Sequence, residues 1–536
     1  MSSDATTLPL RGPLLGDAHG QREAAGDSDS EHARVAARGA AVVGTATLLA
    51  IVLGSALITV VAADRPTYPP THAHFFPGWL AGPLGGLWPG FPRSGEALKW
   101  VFSVALLAMY IAYLLGLRYA PSLRARWTIA AVVAVHAIFF LAPPLALTDI
   151  FNYVNYARME VVHHLNPYTT VPIYEPHGDP SFDLSNWHHL LSPYGPLFTL
   201  ITFAVVPLGV AASFWAFKGI LMAASLGTIL LVWKCARLLG RDPVRAIVLV
   251  GLNPVVLVWG LGGDHNDFIM MLPVMLGFYL LLRAGAVIAG VSKGPVQEEQ
   301  PPDGLSLRDA PSREPGLLAR GRGLLLPLAP LELAAGAAFL AAVAIKASAG
   351  VLLPVVLAGL LKAPRRLIQV AIGMLVGGAV LAAASVMAFG LHLPDLSTQG
   401  RLVTVLSPSN LLGLALGEGG ESDALRHTLS LVLVAWLALV CAMAWRKRDS
   451  LTAAGWASVA LFVTLSWVLP WYVLWVLPMA ALSRSRALRN TALAFGAFFV
   501  LAWAPLTGTI FHAVGFEPEK TPLGRLHQRY VKELLN

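Results

Sequence analysis

Apolar runs long enough to cross a bilayer follow one another along this chain, separated by short basic or polar turns. A hydrocarbon core about 30 Å thick takes about 20 residues of helix, and in lipid only helices and closed barrels satisfy their own backbone. Stretches of this kind fall at 40–62, 98–117, 127–147, 214–237, 245–262, 267–290, 323–345, 348–362, 367–391, 425–445, 451–469, 471–483 and 490–508. Those at 348–362 and 471–483 are short and flanked by Pro or Lys. The expectation is an all-α polytopic membrane protein, a bundle of about 11–14 transmembrane helices. Charge content agrees: 13% of the residues are charged, against roughly 25% in soluble domains.

Lys and Arg mark the cytoplasmic side of such proteins. Arg34 and Arg38 precede the first run and place the N-terminus inside. Arg118, Arg124 and Arg126, then Lys234, Arg237, Arg241 and Arg245, fall on the same side. So do the 293–322 segment, Lys362 with Arg365 and Arg366, the "RKR" at 446–448, and Arg484, Arg486 and Arg489. The alternation holds if 196–212, which contains Pro207, does not cross once. That stretch reads as a re-entrant segment or a broken helical pair, tolerable where protein or a cavity covers its backbone. Cations confined to such loops also remove the nucleic-acid partner that a net charge of +8 would invite. Cys235 and Cys441 have no CxxC or zinc spacing and read as small core residues rather than a disulfide framework. Five regions result: 1–39, a disordered cytoplasmic tail; 40–291, a first membrane half; 292–322, a polar, Pro-rich cytoplasmic linker; 323–509, a second membrane half; and 510–536, a C-terminal tail on the outer side.

With that sidedness the unusual polar residues land on one outer face, and polar groups at membrane depth are functional candidates by default. The faces are 148–195, "LGGDHND" at 261–267, Lys346, "SPSN" within 392–424, and "LPWYVLW" at 469–475. In "LTDIFNYVNYARMEVVHHLNPY", Asp149, Tyr153, Tyr156, Glu160 and His163 recur every three or four residues, beside an apolar stripe of Ile150, Val154, Ala157, Val161 and Leu165. This predicts an amphipathic helix at the interface, ended by Pro167. Thr148 and Asp149 are also natural helix N-caps, which explains an Asp without catalysis. The tyrosines read as interface belt residues, and Glu160 and Arg158 as a solvated or paired face. "GGDHND" reads as a helix cap with a polar neighbour, as an anion contact through His265, or as a divalent metal site, although adjacent residues rarely all reach one metal. Lys346 snorkels as an anchor or neutralises a phosphate. No P-loop, GxSxG, HExxH or dinucleotide fingerprint is present, so a soluble nucleotide substrate is unsupported.

An acidic residue at the start of the first large outer loop, then "NPY" at 166–168, "SPYGPLF" at 192–198, "NP" at 253–254, "HND" at 265–267, Lys346 and "PWY" at 470–472 resemble, in their order, the GT-C membrane glycosyltransferases. The nearest likeness is to the glycosyltransferase 87 family and the bacterial polyprenyl-phosphate-mannose-dependent mannosyltransferases, over roughly residues 100–510. The resemblance implies a GT-C-like bundle at the plasma membrane with its active site on the extracytoplasmic face. The partners it implies are the bilayer, a polyprenyl-phosphate sugar donor and a cell-envelope glycan or glycolipid acceptor. It further implies inverting transfer of a hexose, mannose first, with Asp149 as general base. Lys346 and His265 then face the donor phosphate, and Tyr153, Asn166, Tyr168, Tyr194 and Asp267 shape the sugar pocket, with no metal or other cofactor. A transporter or flippase of lipid-linked sugars, or a glycan ligase, uses similar architecture. A transporter places its polar groups at the midplane, whereas these gather at one face.

Overall fold

The computed structural model describes residues 17–63, 77–88, 90, 94–146, 149–288 and 329–535, with side chains from Val35 onward. Among these residues every regular element is helical. The linker expected at 292–322, and Thr148, lie outside them. The helices that build the bundle and its site are α1 (Asp17–Ala63), α2 (Gly95–Tyr119), α3 (Ala125–Leu141), α4 (Asp149–His163), α5 (Pro196–Phe203), α6 (Val210–Leu238), α7 (Asp267–Ile288), α8 (Pro330–Ile345), α9 (Leu352–Leu360), α10 (Pro364–Phe389), α11 (Asp423–Lys447), α12 (Ser450–Thr464), α13 (Arg486–Ala502), α14 (Pro505–Ala513) and α15 (Pro522–Leu535).

Six of the described helices are long and apolar enough to cross a membrane: α1, α2, α6, α7, α10 and α11. A seventh span results if α13 and α14, bent by 69°, count as one. The remaining apolar stretches form shorter helices, and prolines explain most of them. A proline removes a backbone donor and pushes the preceding residue out of helical geometry. Thus α3 stops at Leu141 ahead of Pro143 and Pro144, and α8 begins only at Pro330. The stretch at 245–262 breaks at Asn253–Pro254 into a helix over Pro243–Gly251 and a π-helical turn over Val256–Leu261. The doubtful 196–212 stretch is α5, a 3₁₀ turn over Val206–Leu208 and Gly209 at φ 78°, after which α6 begins. Its helical part reaches about 20 Å, short of a hydrocarbon core of about 30 Å.

Small residues let the helices close. Gly336 of α8 and Gly373 of α10 face each other so tightly that a Cβ on either would lie 2.1 Å from the Val370 carbonyl oxygen or 2.0 Å from that of Leu333. Close backbone approach of this kind is how helices associate where lipid competes for apolar side chains. The bundle has two chemically distinct ends. Arg118, Arg237, Lys362, Arg365, Arg446, Lys447 and Arg486 occupy helix ends at one, where Lys362 donates to the Arg446 carbonyl oxygen at 3.4 Å. The segments 149–195, 261–267 and 469–475 gather away from that end.

Helix α4 forms over the predicted residues, but it does not lie amphipathically at an interface: Ile150 through Ala157 are all buried. The loop that follows folds back over its polar side. Asn152 Oδ1 accepts from the Asn186 amide at 3.1 Å, Asn155 donates to Ser181 Oγ at 3.2 Å and to Glu175, and the Tyr156 hydroxyl donates to the Leu190 carbonyl at 2.7 Å. Buried polar groups must be partnered, and here the loop itself supplies the partners. Arg158 and His163, each 2.8 Å from Asp179 Oδ2, pin it. Burial raises the Asp179 carboxyl, but the hydrogen bonds from Arg158, Ser181 and His163 outweigh it and hold the group well below the usual carboxylate range. The C-terminal helix α15 packs on the same end: His189 donates to the Leu534 carbonyl at 3.0 Å, and Leu534 is buried with Leu190 and Leu402.

Candidate active site

A cavity of about 360 Å³ opens where these segments meet, and Asp149, Tyr153, Tyr194, Asp267 and Lys346 are on its wall. Each arrives on a helix end. Asp149 begins α4 and Asp267 begins α7, while Lys346 ends α8 in extended geometry. Carboxylates at helix N-termini sit favourably in the macrodipole. Lys346 is placed by the "SPYGP" turn: the Gly195 amide donates to the Ile345 carbonyl at 3.1 Å, and a Cβ on Gly195 would lie 2.2 Å from the Ala344 carbonyl oxygen.

The "DHND" turn distributes its polar residues among three partners. Asp264, at φ 57°, lies 3.5 Å from Lys218 Nζ, both side chains fully buried. His265 Nδ1 lies 3.0 Å from Asp149 Oδ2, an ion-pair distance without hydrogen-bond alignment, and the imidazole stacks on Trp471 at 3.3 Å between ring centroids. Asp267 accepts from Lys346 Nζ through both oxygens at 2.9 Å and from Trp475 Nε1 at 2.6 Å. Because the turn sends its side chains in different directions, it gathers no common ligand set. Among the described residues no group of three or more His, Cys, Asp and Glu could hold a metal ion.

Lys346 is thus a neutralised cation. Besides Asp267 it lies over the Tyr472 ring at 4.7 Å and the Trp475 ring at 5.4 Å, the attraction expected of an ammonium on an aromatic face. Asp149 remains 17% exposed at the cavity. Tyr153 and Tyr194 form the aromatic wall behind it at 4.8 Å between centroids, and the Tyr153 hydroxyl accepts from the Asn266 amide at 3.3 Å.

Three sequence candidates lie elsewhere. His265 is buried behind Asp149 and is not on the cavity wall. Asn166 donates to the Phe389 carbonyl at 2.7 Å, and the Tyr168 hydroxyl donates to the Tyr194 carbonyl at 2.9 Å and meets Thr199 Oγ1 at 3.0 Å. Both brace the loop against α5 and α10 instead of facing the cavity. Conversely, Trp475, Arg426 and Asn266 are on the wall. The signal for Trp475 was the "LPWYVLW" run at 469–475. Lys218, inside an apolar run, carried a signal in its charge alone.

A family model described as "Alpha-(1->6)-mannopyranosyltransferase, N-terminal domain" matches residues 41–362, and one described as "MptB C-terminal domain" matches residues 404–516. An alpha-(1->6)-mannopyranosyltransferase of Mycobacterium tuberculosis is 28% identical over 66% of this chain and 65% of its own length. Alpha-(1->6)-mannopyranosyltransferase A of the same organism is 25% identical over 70% of this chain and 69% of its own. A probable alpha-(1->6)-mannopyranosyltransferase of Mycolicibacterium smegmatis is 27% identical over 66% and 65%. No solved structure matches. With the first model alone spanning more than half of its residues, and with the cavity built from both matched segments, this chain belongs to the alpha-(1->6)-mannopyranosyltransferase family.

Proposed function

We propose that this protein transfers mannose from a polyprenyl-phosphate sugar to a glycan or glycolipid acceptor of the cell envelope, at the extracytoplasmic face. The observation that carries the reading is the single cavity shared by Asp149, Asp267 and Lys346 at the bundle end remote from the Arg and Lys clusters. Positive clusters mark the cytoplasmic side, so the cavity opens outward, where a lipid-borne donor presents its head.

Asp149 takes the proton of the acceptor hydroxyl as that oxygen attacks the anomeric carbon. The new C1–O bond forms as the bond from C1 to the phosphate oxygen breaks with inversion, and polyprenyl phosphate leaves with the bonding electrons. Lys346 faces the charge that develops on the leaving phosphate. His265 contacts Asp149 from behind, so its role is to orient the base. Asp267 and Trp475 orient Lys346.

The test is purified protein in lipid with polyprenyl-phosphate mannose carrying labelled mannose, an envelope extract as acceptor, and Asp149→Asn in parallel. Transfer by the wild type and a loss of at least about 100-fold in the variant are expected for a general base. Full transfer by a folded Asp149→Asn protein removes Asp149 from the mechanism, and no transfer by the wild type removes this donor.

A further inference from the structure

One buried ion pair has no use in the chemistry described so far. Lys218 of α6 and Asp264 of the "DHND" turn lie 3.5 Å apart with both side chains fully buried, and neither is on the cavity wall. The ammonium sits 5.5 Å from the Phe214 ring centroid and 5.3 Å from that of Trp215, and it donates to the Ala142 carbonyl. Among the described residues neither Asp264 oxygen accepts an aligned hydrogen bond, and the backbone there holds a left-handed φ of 57°.

Stability does not account for the pair. Taking two charges out of water is costly, and an apolar pair of similar volume is often as stable or more so. A left-handed backbone under a side chain adds to the cost. Ala142 follows the last turn of α3, where a cation suits the free carbonyls, but that cap calls for no carboxylate.

The two partners of Lys218 explain it better. Ala142 begins the segment that leads to Asp149, and Asp264 immediately precedes His265. Lys218 therefore grips both arms of the contact between Asp149 Oδ2 and His265 Nδ1, which lie 3.0 Å apart. The Leu145 amide donates to the Gly262 carbonyl at 2.5 Å and closes the same junction. The turn has no slack. A Cβ on Gly262 would lie 2.4 Å from the Val258 carbonyl oxygen, and one on Gly263 would lie 2.3 Å from that of Trp259 and 2.4 Å from His265 Nε2. A shift at Asp264 is passed directly to the imidazole.

We infer that Lys218 and Asp264 are positioning residues of the transfer reaction: their charge pair, outside the cavity, sets the approach of His265 to Asp149. The inference rests on the reading of Asp149 as general base and adds the device that holds that base in place.

The experiment uses the full-length protein in nanodiscs, with polyprenyl-phosphate mannose as donor and an envelope extract as acceptor. It reads kcat, KM for the donor and the thermal midpoint. The variant is Lys218→Met with Asp264→Asn, which removes both charges at similar volume and leaves at 264 a residue that tolerates the left-handed backbone. The thermal midpoint is expected at or above that of the wild type. The expected kcat is at least about tenfold lower, with KM within about twofold, because positioning is lost while the cavity wall is untouched. In a His265→Gln background the same two substitutions are expected to add no further loss, since both routes act through one contact. Wild-type kcat in the folded double variant overturns the inference. So does an equal loss in the His265→Gln background, which would make the pair a packing element, and so does a raised KM at unchanged kcat. If the double variant does not fold, Asp264→Asn alone, which keeps an acceptor for Lys218, must show the same fall in kcat without a change in KM; an unchanged kcat overturns the inference. Full transfer by Asp149→Asn removes the base and the inference with it, whereas loss of transfer in Asp149→Asn beside an unaffected pair variant overturns the inference alone.

Discussion

At the scale of single residues, one buried carboxylate ties two walls of the cavity together. Asp267 is almost fully buried, and its two oxygens carry Lys346 and Trp475 together. Removing either charge strands the other, so Lys346→Gln and Asp267→Asn are each expected to lower mannose transfer roughly 10–100-fold. The double variant is expected to fall no further than the worse single one, a coupling of about 1–3 kcal/mol. Additive losses across the cycle would show that the two residues act separately. Glu175 in the covering loop supplies a second prediction. Burial raises its carboxyl from 4.5 to about 7, against the opposing hydrogen bond from Asn155. The folded chain therefore binds this proton more tightly than the unfolded chain. The stabilisation is complete below pH 4.5 and is lost as the pH rises toward about 7. Between pH 5 and pH 8 the thermal midpoint in detergent should decline, and Glu175→Gln should flatten that decline; parallel curves would place the loss in another group. Asp149, Asp267 and Lys346 were legible in the sequence because charged residues at membrane depth are costly, whereas Tyr153 came in only through the family resemblance. Arg426 was not, because an arginine early in an apolar helix reads the same whether it snorkels or lines a site.

At the scale of elements, Asp149, Asp267 and Lys346 each stand at the end of a helix. Lys346 ends α8, and its place depends on the "SPYGP" turn pressed against that end. Gly195→Ala forces a Cβ to within 2.2 Å of the Ala344 carbonyl oxygen. The expected cost is about 1–3 kcal/mol of overpacking and at least about a tenfold loss of transfer through displacement of Lys346. Gly178→Ala, with nothing within 4 Å of its Cβ, should stay within about 0.5 kcal/mol of wild type. Thermal unfolding and transfer assays on both variants check this; equal behaviour would mean that the turn does not hold the lysine. The bounds of α4 could be read from the spacing and from Pro167, but its burial could not. Periodicity counts apolar residues on a face, and the polar face of α4 is covered by residues 175–190 of the loop that follows, whose path the helical spacing does not encode.

At the scale of the whole molecule, the class was clear from apolar length and the count of spans was not. Hydropathy adds up residues, whereas the breaks at Pro143–Pro144 and Pro254 decide where a helix stops. The separation of basic ends from the cavity end predicts an orientation. In intact cells, a membrane-impermeant thiol reagent should label Asp183→Cys in the covering loop and leave Lys447→Cys unlabelled until the membrane is opened; the reverse pattern would turn the molecule over. The site also straddles a seam. Asp149, His265, Asp267 and Lys346 belong to the segment matched by one family model, and Trp471, Tyr472 and Trp475 to the segment matched by the other. The contacts His265–Trp471, Asp267–Trp475 and Lys346–Tyr472 are stitches between them. For protein engineering this means that the two segments are not interchangeable modules. A chimera that exchanges the second segment among relatives inherits Asp149 and Lys346 intact, yet is expected to transfer mannose only if the incoming half restores these aromatic contacts. Recombination at this seam is thereby filtered by a handful of aromatic side chains.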